Sequence, residues 1–366
     1  QQCVLQVLEP ICEAKFFKRS NGFRPNRGAE HAISQAYKFM QGQHLHYVVD
    51  IDIKGFFDNV NHGKLLKQMW TLGIRDKRLL SIISAMLKAE VAGIGFPEKG
   101  TPQGGIISPL LSNIVLNELD WWVASQWENV PTKYPYKCRT LRNGTPDKSN
   151  VYAELRNTNL KECYIVRYAD DCMIFCKSKK SAERTLKNII PFIEGKLFLK
   201  VNRKKTTVAH VSKVKYLGYS FYRNKGKCRF RVHPKSVAKM KNKIRELTDR
   251  NNGMSNAKRE EKYQQFVRGW VNYFKLADMK NLLKDTDEWA RRRIRAVYWK
   301  QWKKIKTKYR MLKALGMDHW KAKELACSRK GCWRMAQVLN QIFSNKIIAK
   351  LGYIPMLDYY LVVCEN

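Results

Sequence analysis

Apolar residues recur along this chain in two rhythms, and the rhythm changes once. In "QQCVLQVLEPICEAKF", residues 1–16, they fall at helical spacing with no cap before them. That opening reads as the interior of a helix, so the chain as given is expected to begin inside a larger protein. "SNGFRPNRG" (20–28) is a turn-rich loop, and a helical pattern follows over 29–40. "HYVVDIDIKGFFDNV" (46–60) alternates like a strand running into a loop, with Asp50 and Asp52 on one face and Val49, Ile51 and Ile53 on the other. Helices are predicted over 61–72, 76–90, 108–127 and 179–195, with Pro109 suited to a first turn. Residues 128–162 are polar and turn-rich and read as a surface insertion. In "YIVRYADDCMIFCK" (164–177) two apolar strands flank Asp170 and Asp171 at a hairpin tip, and short strands recur through 199–233. After His233 the strand rhythm disappears. Three amphipathic helices and a helical tail from about residue 310 remain, with Pro234 marking the boundary. The order predicts an α+β domain on an antiparallel sheet, then an all-α region.

Composition narrows the partner. Of 366 residues, 70 are Lys or Arg and 31 Asp or Glu, a net charge of +39. That excess points to a polyanion, most simply nucleic acid, with an anionic membrane as the rival. No apolar run of about 18 residues indicates a spanning helix, and the N-terminus does not read as a signal peptide. The ten cysteines are scattered, several within apolar runs and none at zinc-finger spacing. They read as reduced thiols filling a core. Fifteen basic against four acidic residues between 286 and 330 form a nearly pure positive stretch. Trp299 and Trp302 within it read as packing between helices.

The chemistry begins with the carboxylates. Asp170 and Asp171 are adjacent, and Asp52 or Asp50 ends another strand. If the strands are neighbours, the carboxylates converge, which is unfavourable unless a cation neutralises them. Mg²⁺ prefers such oxygen ligands. Two ions about 3.5–4 Å apart can activate a 3′-hydroxyl and stabilise a pyrophosphate leaving group. The plainer reading is that the aspartates only make a turn. Apolar flanks and a second strand-end aspartate weigh against it.

"YADD" between apolar strands, "DIDIKGFFD" upstream, "GTPQGGIISPLLSNIVLNELD" between them and "KYLGY" downstream resemble a reverse transcriptase palm. With "GFRPNR", "FFDNVNH", "NRKKT", "RGWVNYF" and "WKQWKK" in order, the chain is similar to the reverse transcriptases of bacterial group II introns, also called maturases. The resemblance implies a right-hand polymerase palm, an all-α thumb and a small helical C-terminal domain. Partial fingers and palm would occupy 1–232, the thumb or maturase domain X 233–308, and a DNA-binding domain 309–366. Many relatives add a Cys-rich HNH endonuclease after these; with the chain ending at Asn366 and only Cys364 nearby, none is expected here. The family's N-terminal finger blocks, which hold the triphosphate, are expected to have been omitted from the chain.

The resemblance also assigns roles. Asp52 becomes the first metal-binding aspartate, since Phe57 lies five residues on where the family has its sugar-sensing aromatic. Asp170 and Asp171 are the other two, binding two Mg²⁺ ions, with Mn²⁺ a substitute. Phe57, Gln103 and Gly104 contact the incoming dNTP, and Lys205 protonates pyrophosphate. Tyr216, Leu217 and Gly218 form the primer grip. Arg24, Arg27, Arg167, Arg291, Arg292, Arg295, Lys300 and Lys303 are the nucleic-acid-binding candidates. The implied activity is RNA-directed DNA polymerase, in a bacterial cytoplasm. Its partners are group II intron RNA, an RNA template with DNA primer, target DNA and dNTPs, and no membrane. The alternatives are a maturase that assists splicing without polymerase chemistry and a relative recruited to a CRISPR or defence system.

Overall fold

Two contact-defined units make up the chain, residues 1–217 with 221–228, and residues 218–220 with 229–366. The computed structural model describes residues 1–90, 95–102, 104–142 and 146–365. The first unit runs α1 (Gln2–Glu13), α2 (Ala29–Tyr37), β1 (Tyr47–Ile51), α3 (His62–Thr71), α4 (Lys77–Leu87) and α5 (Ser108–Ser125). It continues through α6 (Ser149–Arg156), β2 (Cys163–Tyr168), β3 (Asp171–Cys176), α7 (Lys179–Gly195) and β4 (Thr207–His210). The short strands β5 (Lys215–Tyr216), β6 (Tyr219–Asn224) and β7 (Lys227–Val232) follow, and the division between units falls within them.

The apolar segments became strands that are buried on both faces, since neighbouring residues, which point to opposite sides, are both enclosed. Val48, Val49, Ile165, Val166, Ile174 and Phe175 are buried in the four-stranded sheet, ordered β2-β3-β1-β4. Each such side chain contributes roughly 1.5–3 kcal/mol by leaving water. The pairings of β3 with β1 and β2, and of β1 with β4, are all antiparallel. Asn61, Asp76 and Ser178 accept backbone N–H groups at the starts of α3, α4 and α7. The helix α5 is buried around most of its circumference, as its apolar composition requires. Cys12, Cys163, Cys172, Cys176 and Cys228 are buried free thiols.

The second unit is helical beyond β7: α8 (Pro234–Leu247), α9 (Asn256–Phe274), α10 (Lys280–Gln301), α11 (Ile305–Ala314), α12 (His319–Ala326), α13 (Cys332–Val338), α14 (Asn345–Lys350) and α15 (Met356–Glu365). Helix α10 packs on α13 and α15. Among the described residues, no helix is long and apolar enough to cross a membrane.

Three predicted spans differ. The helix expected over 29–40 gives way to a π turn at Lys38–Gly42. The polar insertion carries α6, anchored through buried Leu155. The helical tail expected from about residue 310 is interrupted at a 3₁₀ turn, Leu339–Gln341, after which Phe343 turns inward and is buried.

Candidate active site

The two central strand pairings set the geometry. Ile51 pairs with Cys172 across β1 and β3, so the next step of the register places Asp52 across from Asp171. Tyr168 pairs with Asp171 across the hairpin, leaving Ala169 and Asp170 as its two-residue tip. Ala169 adopts a φ of 55°, unusual for a residue with a Cβ. Asp50, Asp52, Asp170 and Asp171 thus share one end of the sheet. Asp52 is held by its backbone: its N–H donates to Thr206 Oγ1 at 3.2 Å, and its carbonyl accepts from Asn202 N at 2.8 Å.

The tip is clamped from behind. The Asn21 N–H donates to the Arg167 carbonyl at 2.9 Å, and the Arg167 N–H to the Arg19 carbonyl at 3.0 Å. A Cβ on Gly22 would lie 2.1 Å from the Ala169 nitrogen, so only glycine permits this approach. Arg167 itself overturns an expectation: it does not face nucleic acid. It is 1% exposed, and Nη2 donates to Asp120 Oδ2 at 2.7 Å. Its other donors reach Asn113 Oδ1 at 3.0 Å, the Ala169 carbonyl at 2.8 Å and Ser20 Oγ at 2.7 Å. Burial works against its charge, and the Asp120 carboxylate more than restores it, holding the guanidinium above its ordinary range. Arg24 is likewise corrected. It is buried, ion-paired to Glu13 at 2.7 Å, and donates to the Phe17 and Ser20 carbonyls. Arg27 is half-buried and spends a donor on the Lys18 carbonyl.

The acidic end is under electrostatic stress. Burial, then the charges of Asp171 and Asp52, push Asp50 up to about 6. Asp171 is raised by partial burial and by Asp170 and Asp52, against the lowering effect of Lys215. Lys205 Nζ stands 3.7 Å from Asp52 Oδ2, with the lysine well exposed. Tyr216 is buried with its hydroxyl unpartnered, and burial and Asp171 push it far above its ordinary range. Among the described residues, no three His, Cys, Asp or Glu side chains are gathered into a cage for a metal ion. Asp52 leans on Lys205, and burial with the mutual repulsion of the carboxylates shows in the raised Asp50 and Asp171. In kind the donors fit a hard divalent cation, being oxygens whose mutual repulsion such an ion relieves.

Beside this end, Phe57 is half-buried and meets Phe56 edge to face at 5.3 Å. The Thr101 N–H donates to its carbonyl at 2.7 Å, tying the loop after β1 to the segment before Gly104. Gly104 is exposed with a φ of 83°, a conformation glycine adopts freely. Gln103 lies outside the described residues. Leu217 and Gly218, both at positive φ, make the turn between β5 and β6. Tyr216 precedes it with its ring inward.

In the second unit the basic residues separate by burial. Lys300 and Lys303 are exposed, and Arg291 and Arg292 half-buried. Arg295 is corrected: it is 3% exposed and donates to the Phe343 carbonyl at 2.8 Å and to Asn345 Oδ1 at 2.7 Å, bracing the turn before α14. Trp299 and Trp302 are buried, 6.0 Å apart, in keeping with packing.

Sequence reasoning missed Asp120, Asn113, Ser20 and Gly22. One signal was present: a carboxylate embedded in so apolar a helix as α5 requires a buried partner.

Two family models match the chain. One, "Reverse transcriptase (RNA-dependent DNA polymerase)", covers residues 1–221. The other, "Group II intron, maturase-specific domain", covers residues 237–316. Protein YkfC of Escherichia coli (strain K12) is 32% identical over 220 residues, 58% of this chain and 57% of that protein. Group II intron-encoded protein LtrA of Lactococcus lactis subsp. cremoris is 33% identical over 258 residues, 60% of this chain and 42% of that protein. The chain spans about half the length of these relatives. A structure of apo telomerase from Candida Tropicalis aligns with 98% of this chain and 55% of its own, at 12% identity and a TM-score of 0.44, a likeness too slight to argue from.

Proposed function

The chain belongs to the reverse transcriptase (RNA-dependent DNA polymerase) family, and from that premise we propose that it copies an RNA template into DNA by nucleotidyl transfer from dNTPs. The observation that carries this reading is the register that sets Asp52 across from Asp171, beside Asp170, at one sheet end. The family generally uses divalent metal ions. Here Asp52, Asp170 and Asp171 would hold them, with Mg²⁺ the favoured ion. Such ions lower the pKa of a primer 3′-hydroxyl and neutralise charge on the leaving pyrophosphate. The 3′-hydroxyl gives up its proton to water as its oxygen bonds the α-phosphorus, while the bond from that phosphorus to the bridging β-phosphate oxygen breaks. Lys205, already beside Asp52, supplies a proton to the departing pyrophosphate. Phe57 would set its ring against a ribose 2′-hydroxyl and so favour deoxynucleotides. Gln103 and Gly104 would line the nucleotide and the turn at Tyr216, Leu217 and Gly218 the primer.

Primer extension on an RNA template with dNTPs and Mg²⁺ tests this. Asp170→Ala is expected to abolish extension while leaving RNA binding unchanged. Undiminished cDNA from that variant would sink the assignment.

A second reading rests on the maturase-specific match at 237–316: the chain also binds a group II intron RNA and assists its splicing, and target DNA is a further partner. Asp170→Ala should leave assisted splicing intact. A splicing loss equal to the polymerase loss would refute that separation.

A further inference from the structure

Within the second unit, a cleft of about 780 Å³ opens between α10 and the segment carrying α13 and α14. Three guanidiniums, of Arg291, Arg292 and Arg295, line it from one helix. The hydrogen bonds of Arg292 and Arg295 are to uncharged acceptors, while Arg291 feels the Asp287 carboxylate. Arg295 donates to the Phe343 carbonyl and Asn345 Oδ1, and Arg292 to the Trp333 carbonyl at 3.3 Å. Burial and the neighbouring Arg291 hold Arg295 down to about 10. Arg291, half-buried beside it, is the guanidinium of this pair still open to an incoming anion.

Phosphate alone does not account for the rest of the wall. Trp333 is 41% exposed, and the Arg292 guanidinium lies 4.1 Å from its ring centroid. Trp333 also lines a smaller depression of about 190 Å³ beside Thr248 and Arg293. The exposed amides of Gln337 and Asn340 add donors and acceptors, and Asp285 and Glu288 add acceptors only. Carboxylates in a cleft for a run of phosphates would repel it. Carboxylates facing a base accept from its amino groups. Aromatic faces, guanidinium planes and mixed polar edges are what unstacked bases take, and a base pair within a helix cannot present its face to them. The volume suits one or two nucleotides and no duplex.

We propose that this cleft is a pocket for an unpaired nucleotide of a single strand, its base packed against Trp333 and the Arg292 guanidinium and its phosphate at Arg291. The proposal deepens the nucleic-acid reading above and rests on it, but its test is separate from polymerase chemistry.

The test measures binding of fluorescein-labelled oligonucleotides of about twelve residues by anisotropy at fixed salt. The probes are single-stranded RNA, single-stranded DNA, the same RNA with abasic sites, and a blunt duplex. The proteins are the full chain and its Trp333→Ala and Asn340→Ala variants, both at exposed positions. Trp333→Ala is expected to weaken single-strand binding about tenfold and to change duplex binding by less than about twofold. The abasic strand should bind the wild type about as weakly as the intact strand binds the variant. Asn340→Ala should weaken single strands by a smaller factor. Loss confined to RNA identifies RNA as the source of the nucleotide, and loss on both strands identifies any single strand. Either outcome supports the pocket. Equal weakening of the duplex, leaving the cleft a general positive surface, or no weakening of single strands overturns it. Failure of the wild type in primer extension would instead sink the polymerase reading and leave this result standing.

Discussion

Replacing Asp120 by asparagine removes one charge from the most enclosed ion pair of the first unit. Asp120 is 0% and Arg167 1% exposed, and the carboxylate takes bonds at 3.0, 3.0 and 2.7 Å. Asparagine keeps the shape, retains one acceptor and leaves the guanidinium buried without a counter-charge. Breaking a buried pair from one side costs about 3–5 kcal/mol, a large share of the roughly 5–15 kcal/mol that holds a domain folded. The pair Asp120→Leu with Arg167→Met removes both charges, so it should recover at least half of that loss. It cannot restore the bond from Arg167 to the Ala169 carbonyl, made at 2.8 Å. The hairpin tip therefore stays loose and primer extension stays low. Urea unfolding gives the global change, and hydrogen exchange of peptides from 163–176 reads the hairpin itself. A loss under about 1 kcal/mol for Asp120→Asn, or a double variant no more stable than the single one, would refute the reasoning.

Gly22→Ala sets a methyl 2.1 Å from the Ala169 nitrogen. It is expected to cost about 1–3 kcal/mol in a thermal melt and to slow extension more than it raises the dNTP KM. Phe57→Ala should raise ribonucleotide incorporation about tenfold or more, read by alkali-sensitive sites in the product. Lys205→Ala removes an exposed partner of Asp52, so stability should move by less than about 0.5 kcal/mol. Single-turnover extension by the same variant should slow about a hundredfold. In the second unit Asp287 accepts the N–H groups of Met356 and Leu357, each at 2.9 Å, and so caps α15. Asp287→Ala should cost about 1–3 kcal/mol and expose α15 to limited proteolysis.

Periodicity made the palm-like sheet, the hairpin and most helices legible, because burial imposes its period on the residues that form them. The acidic site was legible for a related reason: paired carboxylates between apolar strands are costly enough to need an explanation. The fates of individual arginines were not legible. Arg24, Arg167 and Arg295 carry the same charge as Lys300, yet their guanidiniums end in the interior. What decides this is a partner far along the chain: Asp120 lies 47 residues from Arg167 and Asn345 lies 50 from Arg295. Glu13 sits 11 residues before Arg24 and gives no periodic signal. Counting charge reports the surface a chain could present, and only packing says which charges are spent holding it together. Helix α6 was hidden for a different reason: it has eight residues, and its inward face of Val151, Tyr152 and Leu155 spans little more than one turn within a polar segment.

The clamp behind the hairpin also orders events in time. Arg19 reaches the Ile165 carbonyl across 146 residues, and Ser20 reaches Arg167 across 147. The N-terminal segment is synthesised first, at about 5–20 residues per second, and must wait several seconds or more for the strand it clamps. During that wait Arg19, Asn21 and Gly22 have no hairpin to close on, and the loop to be closed is among the longest in the first unit. Long-range closure is slow and costs chain entropy before it gives any contact back. The acidic sheet end therefore acquires its rigid backing late on the ribosome, after β2 emerges, and a nascent chain stalled before Arg167 holds all of α5 but no support for the tip.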